Sequence, residues 1–411
     1  MATKKKTVVS GLRGAVKIAI DATVGTTDVV ERMHRTIQAL PAPAGKARPA
    51  QSTSGITGLV YRTVRGSTRL VGKGVEASLA ALEMVLPEAG SGPRREAFVS
   101  ALNGTHGDHL ARTANPLAIE MVLRYQGRVI DATQPAASLM AAGGGTPTGK
   151  LLILVHGLCM NDLQWLRNGH DHGAALAREF GYTALYLRYN SGLHIADNGR
   201  TLSALLETLV LHWPCPLQEL TILGHSMGGL LARSACLQAS GQWQQGQQGQ
   251  QGQQWLQGQQ WLQRLSKLVF LGTPHQGSPL ERGGKKIDQV LELSPYSAPL
   301  SLLGKSRSAG IQDLRHGAIT EGGPDFVPLP VGVECFAAAA TLGAKRNQLV
   351  DRLLGDGLVP LNSALGIHKD AARTLAFASS HQWIGFEMGH LELLSRPEVY
   401  AQLRAWLKPV D

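Results

Sequence analysis

One serine in this sequence has neighbours that suit a nucleophile. Residues 220–231 read LTILGHSMGGLL, an apolar run interrupted by a glycine-rich turn that carries Ser226. The pattern predicts a buried strand, a sharp turn and a helix, the context in which G-x-S-x-G presents a reactive hydroxyl. Glycines at positions 224 and 228 let the strand and helix backbones approach closely. The alternative is an ordinary glycine-rich turn that happens to contain a serine.

A second turn could supply a donor for an oxyanion. Residues 151–155 (LLILV) have the pattern of a central parallel strand, and HGLCMND follows them. Backbone N–H groups of Leu158 in this loop and Met227 behind the serine would form an oxyanion hole. Both are fixed in place before negative charge develops. The alternative is a simple glycine turn in which His156 is a hydrogen-bonded structural histidine.

An acid that orients the base is expected after the serine. Residues 333–340 (VECFAAAA) predict a late strand, and Asp356 follows in GDGLVP, where two glycines suit a tight turn that projects a carboxylate. Asp351 lies in LVDRLL, an amphipathic helical pattern whose charges usually face solvent. Asp370 lies beside Lys369 in a polar stretch typical of the surface. Asp356 is therefore favoured over the other two.

Two histidines near the end of the sequence could act as the general base. His390 lies in MGHLELL, just before a predicted helix at residues 397–407, and His381 lies in SSHQW. A neutral imidazole takes the serine proton, while a buried aspartate fixes its tautomer and stabilises the cation that forms. We predict a triad of Ser226, Asp356 and His390, with His381 as the alternative that contacts substrate or caps a loop.

Further elements must position these groups. Residues 115–130 alternate around a glycine, which predicts an antiparallel hairpin. Residues 200–213 are predicted to form the helix that precedes the serine-bearing strand. The apolar run at residues 267–271 predicts a strand that leads into GTPHQGS.

From about residue 151 onwards, the sequence resembles the α/β-hydrolase superfamily, specifically the bacterial lipase and esterase branch related to GPI inositol-deacylase-like proteins. The matching motifs are VHGLCMND, RYNSGLHIADNGR, GHSMGGLLAR, FLGTPHQGSP, GDGLVP and GHLELL. The resemblance implies a mostly parallel sheet flanked by helices, and ester hydrolysis through a serine acyl-enzyme without cofactor or metal. It implies supporting or pocket-lining roles for His156, Gly157, Gly224, His225, Gly228 and His275. It does not specify the substrate, because this fold hosts many chemistries.

The composition is that of a globular protein with a core. With 411 residues, 43% of them hydrophobic, the chain can form one large α/β domain plus an extension. Four scattered cysteines without a C-x-x-C pair argue against a zinc site or a disulfide scaffold. No continuous apolar run fits a signal peptide or a membrane span. The expected location is therefore cytoplasmic.

Residues 1–95 are predicted to form a basic helical extension. The chain carries a net charge of +10, and this part holds 15 lysines and arginines against 6 acidic residues. Two segments, 9–40 and 56–86, show helical periodicity, and residues 41–54 between them read as a Pro/Ala-rich linker. The helices either pack on the hydrolase or bind an anionic membrane or lipid droplet. Nucleic acid is not expected as a partner, because aromatic stacking residues other than Tyr61 and binding motifs are lacking.

Residues 96–411 are predicted to form the catalytic domain, with two insertions. Residues 242–263 are rich in glutamine and glycine, bury little apolar surface, and are expected to be a surface loop. The alternative is a mobile lipid-contacting patch of the tryptophans in this insert, Trp243, Trp255 and Trp261. Residues 280–330 are predicted to contain a cap over the active site.

The sequence therefore predicts a serine esterase or lipase that acts on medium to long acyl esters, with a small-molecule ester or lipid as its substrate. One alternative is an acyltransferase or thioesterase that uses the same triad. A second is a catalytically silent binding module on the same fold.

Overall fold

The computed structural model describes residues 93–241, 259–278, 308–322, 326–344 and 355–408. Several sequence predictions lie outside these described residues. They are the N-terminal helices before residue 93, most of the glutamine-rich insert, residues 280–307 of the cap, and Asp351.

Within the described ranges, eight strands form one sheet. They are β1 (Val122–Tyr125), β2 (Arg128–Ile130), β3 (Lys150–Val155), β4 (Thr183–Arg188), β5 (Glu219–His225), β6 (Leu265–Leu271), β7 (Glu334–Ala340) and β8 (Gln382–Gly385). Their spatial order is β2-β1-β4-β3-β5-β6-β7-β8. Strand β1 is antiparallel to β2 and β4. The neighbouring strands in the rest of the sheet, in the order β4-β3-β5-β6-β7-β8, are parallel to one another. A sheet of this kind needs helices on both faces.

The helices meet that need. They are α1 (Pro93–Arg112), α2 (Pro135–Ala141), α3 (His172–Phe180), α4 (Ile195–Leu211), α5 (Met227–Ala239), α6 (Gln260–Arg264), α7 (Ala309–His316), α8 (Leu361–Ala364) and α9 (Pro397–Leu407). Helices α4 and α5 pack in one core, and α3 and α9 pack in another. None of the helices in the described ranges has the length and hydrophobicity to span a bilayer.

Strand β3 shows how the sheet separates these two cores. Its side chains alternate between faces, so that Ile153 joins the core of α4 and α5, while Leu154 joins that of α3 and α9. After Lys150, the strand is therefore apolar to its end at Val155, as the sequence pattern predicted.

A third apolar cluster lies beside the loops that follow β3 and β5. It joins Phe98 and Leu102 of α1 to Ile311 of α7. The side chains of Leu158 and Met227, the two residues predicted to line an oxyanion hole, pack in the same cluster. The backbone of that predicted hole thus rests on helices from two distant parts of the chain.

Most predicted elements are present, and the mostly parallel α/β sheet is confirmed. Strands occur at the predicted apolar runs, the hairpin is formed by β1 and β2, and the last helix spans Pro397–Leu407. The helix predicted to begin at residue 200 begins instead at Ile195. Its first turn is stabilised by Asp313 of α7, whose carboxylate accepts a hydrogen bond from the Ile195 N–H at 2.8 Å.

The glutamine-rich segment also differs from its prediction at one end. Residues 260–263 belong to α6, and Trp261 is fully buried in the core with α4 and α5. Its indole N–H donates to Ser203 at 3.2 Å. The surface-loop prediction and the lipid-contacting role are therefore wrong for Trp261, because its large ring fills the core beneath α4.

Candidate active site

Ser226 occupies the tip of the turn between β5 and α5. Its backbone has φ 53° and ψ −123°, a conformation that non-glycine residues rarely adopt. Its N–H donates to the Leu271 carbonyl at 2.8 Å, which fixes the turn to the end of β6. The residue is 8% exposed, so the serine lies in a sheltered position rather than on an open surface. Strained backbones of this kind persist only when their surroundings hold them, and they cluster at active sites.

Two glycines make the tight turn possible. A Cβ added at Gly224 would lie 2.7 Å from the Cα of Gly229, where β5 and α5 cross. A Cβ added at Gly228 would lie 2.2 Å from the carbonyl oxygen of Val155 at the end of β3. Both positions therefore exclude any larger side chain, for the reason that the sequence pattern implied.

His390 and Asp356 form a buried pair. The His390 Nδ1 atom lies 2.6 Å from Asp356 Oδ2, so the ring N–H donates to the carboxylate. The other carboxylate oxygen accepts the backbone N–H groups of Leu358 at 3.0 Å and Val359 at 2.8 Å. With Nδ1 protonated, the Nε2 atom of a neutral imidazole is left as the basic nitrogen.

This pair lies beside the serine turn. The rings of His390 and His225, the residue before Ser226, have centroids 4.7 Å apart. A Cβ added at Gly272 would lie 3.1 Å from the His390 Cε1 atom, and the preceding residue, Leu271, accepts the Ser226 N–H. The structure thus brings the serine turn and the aspartate–histidine pair together at the carboxyl edge of the parallel strands.

The loop after β3 lies against the same serine. A Cβ added at Gly157 would lie 3.1 Å from the Ser226 Cβ. The His156 ring stacks on Tyr189 at 4.4 Å, and its Nδ1 lies 2.8 Å from the Gly157 carbonyl oxygen. Among the residues that the structure describes, no acceptor lies within hydrogen-bonding distance of the N–H groups of Leu158 and Met227. These two donors are therefore available to an oxyanion.

The alternative acid and base lie elsewhere. His381 Nδ1 contacts the carbonyl oxygen of Cys335 at 3.2 Å, at the amino end of β7 and thus at the opposite edge of the sheet. Asp370 is exposed, and its carboxylate accepts the N–H of Ala372 in a short surface turn. Neither residue is placed near Ser226.

His225 and His275 are buried, and their rings contact other groups of the protein. His225 Nε2 lies 3.3 Å from the His390 carbonyl oxygen, which links it directly to the aspartate–histidine pair. His275 packs against Phe270 and Phe377 in the core of α4 and α5, and its Nδ1 lies 3.4 Å from Arg233. These contacts favour a supporting role for His225 and a structural role for His275.

Several buried histidines make the unfolding free energy of the protein depend on pH. Burial lowers the pKa of four histidine side chains. The pKa of His156 falls to about 3 and that of His172 to about 4, and the pKa values of His225 and His275 fall well below the ordinary value. In the unfolded chain these rings bind protons below about pH 6.5. We expect the unfolding free energy to fall as pH drops below that value, by about 1 kcal/mol per histidine at pH 5.5.

Urea denaturation at pH 7.5 and 5.5 measures this effect. His172→Gln should reduce the difference between the two pH values, because it removes one neutral buried ring. His212→Gln is the matched control, since His212 is exposed, and it should leave the difference unchanged. Equal unfolding free energies of the wild type at both pH values would contradict the prediction.

Sequence reasoning missed a buried ionic network beside the loop after β3. Glu96 of α1 lies 2.8 Å from Arg188 and 3.4 Å from Arg124. Arg124 also lies 3.3 Å from Asp162, at the start of the short helix Asp162–Trp165 that follows the loop. The network ties α1, β1 and β4 to this loop. No local sequence pattern links residues so far apart along the chain.

Comparisons with known proteins list solved structures to which this chain is similar. No protein-family model and no curated protein matches the sequence. The mature lipase BlEst2 of Bacillus licheniformis is 17% identical, over 71% of this chain and 98% of that chain, with a TM-score of 0.41. EstA of Clostridium botulinum is 14% identical, over 64% of this chain and 87% of that chain, with a TM-score of 0.43. A metagenomic carboxyl esterase is 17% identical, over 76% and 90% of the two chains, with a TM-score of 0.38.

The fold assignment rests on the structure of the chain itself. The parallel strands flanked by helices carry a strained serine after β5, an aspartate after β7 and a histidine after β8. The order serine, acid, histidine along the chain is that of the α/β-hydrolases. The chain therefore has an α/β-hydrolase fold.

Proposed function

We propose that this protein is a serine carboxylic-ester hydrolase that works through an acyl-enzyme. The proposal rests on one observation: the strained Ser226 turn lies beside the buried His390–Asp356 pair at one edge of the sheet. A serine alone on such a turn has no base. A histidine whose Nδ1 donates to a carboxylate has a basic Nε2 in the tautomer that removes a hydroxyl proton.

In the proposed reaction, Ser226 Oγ attacks the acyl carbonyl carbon and its proton passes to His390 Nε2. Asp356 stabilises the resulting imidazolium, and the N–H groups of Leu158 and Met227 bind the oxyanion. The bond to the leaving oxygen then breaks, and the departing alcohol takes the proton from His390. A water molecule, deprotonated by the same ring, hydrolyses the acyl-enzyme, which releases the carboxylic acid and regenerates Ser226.

Medium to long acyl esters are the proposed substrates. The third apolar cluster, between α1 and α7, lies next to the loop and turn that carry the proposed oxyanion donors, so the surroundings of the proposed site are apolar. The preference for chain length is carried by the sequence resemblance. The relationship to GPI inositol-deacylase-like proteins and the contact of the N-terminal extension, residues 1–95, with an anionic lipid surface stay predictions.

A fluorophosphonate probe tests the proposal. It should label Ser226 in the folded protein, and Ser226→Ala should abolish labelling, as intact-mass and peptide spectra would show. A panel of p-nitrophenyl esters of increasing chain length should then give turnover that rises towards medium or long chains. Folded protein that neither labels nor turns over any ester would instead support the silent binding module.

Competition by added alcohols, amines or thiols during turnover separates a hydrolase from a transferase. Water should remain the main acceptor of the acyl group for a hydrolase. Products that contain the added nucleophile as the main species would favour the acyltransferase alternative, and thioesters hydrolysed much faster than matched oxygen esters would favour a thioesterase.

A further inference from the structure

Two non-glycine residues with positive φ flank the proposed oxyanion hole. Ser226, with φ 53°, precedes Met227, and Cys159, with φ 60°, follows Leu158. The strain at Ser226 is explained by the turn that presents its hydroxyl. The strain at Cys159 has no such explanation, because its buried thiol has a pKa raised to about 12 and is no nucleophile.

The strained cysteine lies in a tight turn. The Met160 N–H donates to the Gly157 carbonyl oxygen at 3.3 Å, so Leu158 and Cys159 are the two central residues. A positive φ at the second central residue is the pattern of a type II turn, a position where glycine is normally required. A cysteine there needs compensation from its surroundings, since the left-handed conformation costs roughly 1–2 kcal/mol.

Ser191 supplies that compensation. Its hydroxyl oxygen accepts the N–H of Cys159 at 3.1 Å, and the residue is almost fully buried. The hydrogen bond fixes the peptide plane between Leu158 and Cys159, which is the plane that turns over when a type II turn becomes type I. Ser191 therefore selects the strained form of the turn.

The loop that carries Ser191 is itself held firmly. The amide of Asn190 donates to the Gly107 carbonyl oxygen of α1 at 2.9 Å and accepts the Gly192 N–H at 3.0 Å. Asn198 of α4 donates to the Asn190 carbonyl oxygen at 2.9 Å. The Ser191 hydroxyl thus has a fixed position relative to the sheet.

We propose that Ser191 is a positioning residue for the oxyanion hole, which it holds open through the Cys159 amide. The inference rests on the proposed function. Without the Ser191 hydroxyl, the turn is free to relax towards negative φ at Cys159. That relaxation turns over the peptide between Leu158 and Cys159. The Leu158 N–H lies in the preceding peptide, which shares the Leu158 Cα with it, so this donor loses a constraint that keeps it directed at the oxyanion.

Ser191→Ala tests this role in the full-length protein with a p-nitrophenyl ester. We expect kcat to fall roughly 10- to 100-fold, less than the loss on deleting an oxyanion donor outright, with KM changed less than about threefold. A loss in kcat alone marks an interaction that is made only in the transition state. Ser191→Thr keeps the hydroxyl acceptor and should restore kcat to within a few-fold of the wild type.

Ser203→Ala is the matched control. Ser203 is also a buried serine, and its hydroxyl accepts the Trp261 indole N–H far from Ser226. This variant should lower the urea midpoint while kcat stays within about twofold of the wild type. An equal kcat loss in both serine variants would overturn the positioning role, because general destabilisation would then explain it.

A second variant tests the strain directly. Glycine at position 159 adopts positive φ without cost, so Cys159→Gly in the Ser191→Ala background should recover part of the lost kcat. If Ser191→Ala does not fold, Ser191→Cys provides the same comparison, since a thiol sulfur is only a weak acceptor. A double variant no faster than Ser191→Ala alone would overturn the inference.

The two proposals fail in different ways. If the folded wild type shows no Ser226-dependent labelling or turnover, the proposed function fails, and the role of Ser191 fails with it. If the wild type is active and Ser191→Ala has the same kcat, the proposed function stands and only the role of Ser191 is overturned.

Discussion

Replacing Ser226 or His390 with alanine is expected to lower kcat on a p-nitrophenyl ester by about 10⁴- to 10⁶-fold. The double variant should lose little more than either single variant, because nucleophile and base act as one unit. Ser226→Ala removes one small hydroxyl, so its circular dichroism melt should remain close to that of the wild type. His390→Ala leaves the buried Asp356 carboxylate without its ring partner, so this variant should melt at a lower temperature while still folding.

Asp356→Asn should be nearly as damaging, with kcat reduced about 10⁴-fold. The N–H groups of Leu358 and Val359 both donate to one carboxylate oxygen, so the single amide oxygen of asparagine is drawn to them. The amide NH₂ group then faces His390 Nδ1 and forces the proton onto Nε2, the wrong tautomer.

Asp370→Asn is the control for this substitution, because it changes an exposed carboxylate in the same way. Its kcat should equal that of the wild type. Near-normal activity of Asp356→Asn, together with an inactive Asp351→Asn variant, would show that the acid has been assigned to the wrong residue.

Gly228→Ala should both inactivate and destabilise the protein. The added Cβ would lie 2.2 Å from the Val155 carbonyl oxygen and 2.7 Å from that of His156, and backbone atoms cannot move aside as a flexible side chain can. Helix α5 must therefore shift away from β3, which displaces the Met227 N–H. We expect at least a 100-fold loss of kcat and a loss of about 1–3 kcal/mol in unfolding free energy.

The control is Gly145→Ala, at a position where an added Cβ meets no atom within 4 Å among the described residues. This variant should match the wild type in kcat and in its urea denaturation curve. A Gly228→Ala protein with wild-type kcat would mean that the start of α5 contributes nothing to the transition state.

The serine turn could be predicted from sequence because its signals are local. An apolar strand, glycines at fixed spacing and a helix start all lie within a dozen residues around Ser226. Asp356 was favoured on equally local grounds, by the glycines beside it. Sequence could rank His390 above His381 only by resemblance, because both lie near the same strand. In the structure the two histidines lie at opposite edges of the sheet, because His381 comes just before β8 and His390 comes after it.

The features that sequence missed all depend on distant partners. The start of α4 at Ile195 is stabilised by Asp313 from α7, not by a capping side chain at its own N-terminus. Trp261 looks like part of a polar repeat until the core beneath α4 is known. The importance of Ser191 appears only once its hydroxyl is seen to contact Cys159, on a different loop.

The same dependence on distant segments has a consequence for the growing polypeptide. The contact between His225 and the His390 backbone joins positions 165 residues apart, and the Ser226 turn is bonded to the end of β6. The early strands and helices can form during synthesis without completing these contacts, since domains assemble as their segments emerge. A partly synthesised chain thus contains Ser226 but not His390, the proposed base. Under the proposed mechanism, ester cleavage begins only when the late segment with the histidine has docked, so the order of the sequence would set when activity appears.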